Sequence, residues 1–291
     1  MKVIRAKSAG FCWGVERAVQ VARDEAQGGK KTVYTDGPLI HNRQMMNALS
    51  SEDIREVGDY QSQSELELTK KEDKESVLVV RAHGISPERR QYLKGLGLPF
   101  RDGTCPDVGI IAGKVKVHAE KGYDIIIFGD PEHPEVIGLM GYAKGKSHVV
   151  RNVAELSSLP YFEGGVALVS QSTMFTHEFK EVSRKLSEIY PHIAVFDTIC
   201  GATKERQSDL IGLVKAGAEA IVVIGGKHSA NTRKLAKLAA KQQKPTFHIE
   251  TFKDLDLDSL KKFQTVGVTA GASTPEFIIR EVCEKLEQLE P

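Results

Sequence analysis

Three of the four cysteines divide the chain into near-equal thirds: Cys12, Cys105 and Cys200 lie 93 and 95 residues apart, and 91 residues follow the last. Even spacing over that length marks an internal repeat, which restricts the fold more than any local pattern does. Each of these cysteines follows a short extended run, "MKVIRAKSAGFC", "LPFRDGTC" or "HIAVFDTIC". Each precedes a helical pattern, "GVERAVQVARDEA", "DVGIIAGKVKVHAEKG" or "ATKERQSDLIGLVKAG". Later in each third comes a strand with a polar tip: "TVYTDGPLIHN", "YDIIIFGDPEHPE" and "AIVVIGGKHSANT". A second follows, "SVLVVRAHGIS", "GGVALVSQSTM" and "QTVGVTAGAST", and leads into another helix. Strands alternating with helices of about ten or more residues predict α/β units with mostly parallel sheets, covered by helices on both faces.

In the first two thirds the last helix leads to the strand that carries the next cysteine, whereas the third ends at Pro291. The missing strand is then the N-terminal one. This reading gives three α/β domains, 13–104, 105–196 and 197–291, the third completed by strand 1–12, with the three cysteine corners facing a common axis. Ligands of such sheets lie beyond the carboxyl ends of the strands, where helix N-termini converge. The unusual polar residues cluster at those ends: His41 and Asn42, His83, His133 and Glu135, Ser172 and Thr173, Ser229 and Asn231, and Ser273.

A formal net charge of +1 provides no basic field for nucleic acid, so a small-molecule site is expected. With 41% hydrophobic and 27% charged residues the composition is that of a globular protein. Apolar runs such as those in "YDIIIFG" and "EAIVVIGG" are too short for a bilayer, and "MKVIRAKSAG" lacks a signal-peptide core, so no membrane association and a cytoplasmic location are expected. Four cysteines are too sparse for a disulfide framework, and no C-x-x-C pair is present.

Three thiolates from three modules suit zinc, or a [4Fe-4S] cluster with one iron left open. For any one cysteine taken alone, buried filler is the plainer reading. Neither G-x-x-x-x-G-K-[ST] nor a convincing G-x-G-x-x-G competes for a cofactor. Cys283 is in phase with Ile279, Val282 and Leu286 on an amphipathic helix and is expected to pack rather than to ligate. His41, His83 and His133, with Ser229, Asn231 and Ser273, form a set of donors suited to an anion such as a diphosphate. The histidines at 118, 148, 177, 192, 228 and 248 have no site role in this reading. Glu135 follows "EHP", where the proline restricts the chain, and a desolvated carboxyl there suits a general acid, whereas Glu132 reads as solvated. Gly10 and Gly14 would let the backbone crowd a cluster. Trp13 is left between shielding the cluster and packing on a helix.

The motifs "AGFCWGVERAV", "IHN", "RAHGIS", "GTCP", "HPEVIG", "DTIC", "KHSANTRKL" and "GVTAGASTP", in this order, resemble the 4-hydroxy-3-methylbut-2-enyl diphosphate reductase (LytB) family over nearly the whole chain. The resemblance implies a trefoil of three pseudo-threefold-related α/β domains around a central iron-sulfur cluster. It implies loss of the allylic hydroxyl of that substrate with two electrons and two protons, the last step of the methylerythritol phosphate route, giving isopentenyl and dimethylallyl diphosphates and water. Cys12, Cys105 and Cys200 would ligate the [4Fe-4S] cluster, and the substrate hydroxyl would sit at its open iron. His41, His83, His133, Ser229, Asn231 and Ser273 would bind the diphosphate, and Glu135 would deliver protons through Ser172. A ferredoxin or flavodoxin is the expected electron donor. Ser172 stands where the family commonly has threonine, and Ala230 where many members have a second serine. "GDYQSQSELELTKKEDKES" is longer and more polar than usual and reads as a solvated loop or edge insertion. A quinolinate-synthase-like dehydratase is the nearest rival, against which "HPE" and "AHG" argue. A cluster-bearing electron carrier would not need so many donors.

Overall fold

The computed structural model describes residues 1–28, 32–58, 65–66, 68 and 76–290. The chain begins with β1 (Lys2–Arg5), α1 (Trp13–Gln27), β2 (Val33–Asp36), α2 (Arg43–Ser50), β3 (Ile54–Val57), β4 (Val77–Val80), α3 (Pro87–Gly95) and β5 (Phe100–Asp102). Next come α4 (Pro106–Glu120), β6 (Asp124–Phe128), α5 (Pro134–Tyr142), β7 (Ser147–Val150), β8 (Val166–Ser170), α6 (Thr176–Ile189) and β9 (Ala194–Val195). The last run is α7 (Gly201–Lys215), β10 (Ala220–Ile224), α8 (Ala230–Lys241), β11 (Thr246–Ile249), α9 (Leu257–Leu260), β12 (Thr265–Ala270) and α10 (Glu276–Glu287).

Among the described residues these strands form three parallel four-stranded sheets of one design, ordered β3-β2-β4-β5, β7-β6-β8-β9 and β11-β10-β12-β1. In each, the outermost strand on one side is the one that leads to a cysteine. For Cys12 that strand is β1, which pairs with β12 from Lys2 opposite Thr265 to Arg5 opposite Val268. The start of the chain thus completes the sheet built by its end.

By contact the chain divides into two compact units. One comprises Met1–Glu16, Ile40–Asn47 and Gly201–Pro291, and the other Arg17–Leu39 and Ala48–Cys200. The first contains the sheet closed by β1, and the second contains the other two. Central strands such as β6 "DIIIF" and β10 "AIVVI" are runs of β-branched residues because both sheet faces are covered. The period of two separates their partners in the second unit. Ile126, Phe128 and Leu168 pack on Phe179, Val182 and Leu186 of α6. Ile125, Ile127 and Val169 pack on Ile111 and Val115 of α4 and Val136 and Leu139 of α5. Each such side chain contributes about 1.5–3 kcal/mol on burial.

The edge strands β3 "IREV", β7 "SHVV" and β11 "TFHI" escape the sequence pattern because short, mixed segments on a sheet edge carry little periodic signal. The polar run expected as an insertion lies mostly outside the described residues. Of its described part, Leu66 is buried against Leu78, Val80 and Leu93, and its N–H donates to Tyr92 Oη at 2.7 Å. Among the described residues no helix is long and apolar enough to cross a membrane.

Candidate active site

The three cysteine corners share one hydrogen-bond pattern. The backbone N–H of each cysteine donates to the loop after the third strand of the adjoining sheet: Cys12 to Ala272 O (3.1 Å), Cys105 to Ala82 O (2.9 Å) and Cys200 to Ser172 O (3.0 Å). Each cysteine immediately precedes a helix, α1, α4 or α7, whose first turn favours negative charge. None is disulfide-bonded, and each is only partly buried. The Cys105 side chain makes no capping bond with α4. The three sulfurs stand at loop-to-helix corners outside the core, where a metal ligand would be placed. Cys283 differs: it lies within α10, half-buried at the flank of an apolar face formed by Ile279, Val282 and Leu286. Burial, above all, pushes its thiol pKa up.

Cations brace the corners, a feature with no signature in the sequence. Arg17, five residues after Cys12, donates to the carbonyls of Asp102 (3.3 Å) and Thr104 (3.2 Å), just before Cys105. Arg206, six residues after Cys200, donates to the carbonyl of Gly10 at 2.5 Å, just before Cys12. Before Cys200 the contact is Lys114 Nζ over the Phe196 ring, 4.3 Å from its centroid. Gly10 has φ +128°, a conformation that side chains disfavour, and this explains the glycine without any crowding at a cluster. Trp13 is half exposed and does not belong to the core.

In the second unit, β6 leads through a short loop to α5, whose start is "HPE". His133 caps the helix: Nδ1 accepts from the backbone N–H of Glu135 at 3.2 Å, with Pro134 at the first helical position. An imidazole that accepts at Nδ1 carries its hydrogen on Nε2. Glu135 is only 1% exposed, and its carboxyl is held from two directions by Ser172. Ser172 N–H donates to Oε1 at 2.6 Å and Ser172 Oγ donates to Oε2 at 2.7 Å. The His83 ring lies edge-on to that of His133, with centroids 5.4 Å apart. Arg81, wholly buried just after β4, places its NH2 group 3.4 Å from His83 Nδ1. A guanidinium only donates, so His83 also keeps its hydrogen on Nε2. Arg81 escaped the sequence reading because an arginine there looks like a solvated strand tip. Thr173 is occupied locally, accepting from Gln171 Nε2 at 2.9 Å. A cleft of about 440 Å³ is lined by His83, Cys105 and Glu135 together with residues of α4 and α5. Glu132 is exposed.

In the first unit, Ser273 Oγ donates to the backbone carbonyl of His41 at 3.1 Å. Gly226 comes so close to the same carbonyl that a Cβ would stand 2.9 Å from it, which accounts for the glycine. Ser229 caps α8 by accepting from Thr232 N–H at 3.3 Å. Asn42 caps α2 through Oδ1, which accepts from Met45 N–H at 2.9 Å. Asn231 and Asn42 are both buried, and the Nδ2 of each has no hydrogen-bond partner among the described residues. A buried donor left unpaired costs about 1–3 kcal/mol, a cost that a bound anion removes. Ala230, at the first helical position between Ser229 and Asn231, contributes no side-chain donor.

The family model for LytB protein matches residues 3–287. A 4-hydroxy-3-methylbut-2-enyl diphosphate reductase of Opitutus terrae is 61% identical over 290 residues, covering 99% of this chain and 100% of that protein. One of Caldanaerobacter subterraneus subsp. tengcongensis is 40% identical, covering 99% and 98%. Among solved structures, the E-1-hydroxy-2-methyl-but-2-enyl-4-diphosphate reductase from Plasmodium falciparum superposes with a TM-score of 0.88 at 28% identity, over 98% of this chain and 87% of that one. An (E)-4-hydroxy-3-methyl-but-2-enyl diphosphate reductase, described as the terminal enzyme of the non-mevalonate pathway, gives 0.71 at 34% identity over 99% and 100%.

Proposed function

The chain belongs to the LytB protein family, and from that premise we propose that it is the reductase that converts 4-hydroxy-3-methylbut-2-enyl diphosphate to isopentenyl and dimethylallyl diphosphates. The balance is one allylic hydroxyl lost as water for two electrons and two protons taken up, one proton on the leaving oxygen and one on carbon. The observation that carries the reading is the buried Glu135 carboxyl, held by both the N–H and the hydroxyl of Ser172 and lining the same cleft as His83 and Cys105.

Cys12, Cys105 and Cys200 would hold a [4Fe-4S] cluster. When bound, that cluster supplies the electrons and an open iron that polarises the hydroxyl. The protein's own residues bind the substrate and move protons. His83 and His133 each present Nε2–H, and neutral imidazole donors, with His41, Ser229, Asn231 and Ser273, hold the diphosphate without surrounding it with lysines. The first turn of α8 contains no acidic side chain, so its N–H groups and dipole add to the attraction. Glu135 supplies the proton for the leaving oxygen. The Ser172 hydroxyl accepts from a protonated Glu135 along the same 2.7 Å line and turns its own hydrogen toward the substrate. The three domains 13–104, 105–196 and 197–291 with 1–12, the cytoplasmic location and a ferredoxin- or flavodoxin-type donor belong to the same proposal.

The test is anaerobic turnover of the allylic diphosphate with product analysis, and Mössbauer spectra with and without substrate. Formation of the two diphosphates, with one iron signal that shifts on binding, is expected. Absence of both would overturn the reading.

A further inference from the structure

We propose that the outward face of α4, which starts at Cys105, is the docking surface for a small acidic one-electron carrier protein; the inference rests on the reductive reading above. That reaction oxidises two reduced carriers in turn, one electron each, for every hydroxyl lost as water, with one proton going to the leaving oxygen and one to carbon. The sequence holds no convincing G-x-G-x-x-G, and the surface beside a cysteine ligand is a short route for electrons.

α4 presents such a surface. Its inner residues Val108, Ile111 and Val115 are buried, yet Ile110 (58% exposed) and Val117 (46%) lie outward, where a surface helix ordinarily carries polar side chains. Gly109 and Gly113 leave open space where side chains would stand. At about 1.5 Å per residue, Gly113 lies only about 12 Å along the axis from Cys105, so a partner's backbone can approach the thiol closely. Ile110 stands five residues after its cysteine, the interval at which Arg17 follows Cys12. The position that braces from α1 is thus, on α4, an exposed aliphatic residue.

The charge at the rim selects the partner. Gly109, Gly113 and Lys116 line the cleft together with Arg17. Arg17 is fixed on the carbonyls of Asp102 and Thr104, and neither it nor Lys116 has a carboxylate partner among the described residues. Arg90 is already paired with Asp102, and Asp107 is the acidic residue of the first turn. An apolar centre with a cationic rim complements an acidic protein and speeds its encounter at low ionic strength.

The experiment titrates the anaerobic holoenzyme with an acidic plant-type [2Fe-2S] ferredoxin by calorimetry, and measures turnover with reduced ferredoxin or with dithionite and methyl viologen. Val117→Asp and Ile110→Asp, both exposed changes, should each weaken ferredoxin binding about tenfold at low salt and raise the KM for ferredoxin in parallel. Turnover with dithionite and methyl viologen should not change. Absence of ferredoxin binding by the unaltered enzyme, a Kd indifferent to both substitutions, or an equal fall with both reductants would overturn the docking surface. An enzyme that turns over with dithionite but shows any of these results keeps the reductase reading. One that binds ferredoxin through α4 but never consumes the allylic diphosphate loses that reading and keeps the surface.

Discussion

The starts of α5 and α8 occupy the same place in their modules, after the first central strand, yet they leave different chemistry available. At α5 the cap is His133, which spends Nδ1 on the backbone of Glu135 and keeps one donor, while Glu135 brings in a buried carboxyl tied to Ser172. At α8 the cap is Ser229, and what remains is the amide of Asn231 with a donor left unaccepted among the described residues. One corner can give and take a proton; the other can only hold an anion. The cap residue and the two that follow it decide this, because the backbone of both corners is otherwise alike.

Glu135→Gln should separate the two corners most sharply. It keeps shape and hydrogen bonding but removes the transferable proton, so turnover should fall about a hundredfold or more with the cluster absorbance retained. Steady-state rates beside an anaerobic spectrum decide it, and undiminished turnover would remove Glu135 as the proton donor. Asn231→Ala should do the reverse, raising KM for the allylic diphosphate roughly ten- to a hundredfold with little change in kcat, because a hydrogen bond to a charged group is worth about 1.5–3 kcal/mol. A loss confined to kcat would show that the α8 corner does more than bind. Ser172→Ala should lower kcat about tenfold, whereas Ser172→Thr, which retains the hydroxyl, should stay within about twofold; equal rates for the two variants would exclude the relay. The smallest effect is expected from Ala230→Ser, which adds a donor at the start of α8 and should lower KM by no more than about threefold.

Much of the frame was legible because repeats write themselves into spacing. The intervals between Cys12, Cys105 and Cys200 pointed to the N-terminal strand as part of the third sheet, and β1 pairs in parallel with β12. Glu135 was legible from "EHP" because a proline at the first helical position fixes where the next side chain points. The short edge strands were not legible, since four residues half open to water carry little period. Nor were the braces Arg17, Arg206 and Arg81, each joined to a carbonyl or ring that no local pattern could indicate.

The sequence alone determined the module, its threefold repetition and the residue types at each strand end, because burial on two faces and helix capping leave few alternatives for such runs. The tertiary structure decided which atoms of those residues remain available. Only folding brings Glu135 to 2.6 and 2.7 Å from Ser172, 37 positions away, and turns the imidazoles of His83 and His133 into Nε2–H donors by engaging Nδ1. Hydrogen-bond direction depends on partners distant in the chain, and those partners meet only when the sheets form.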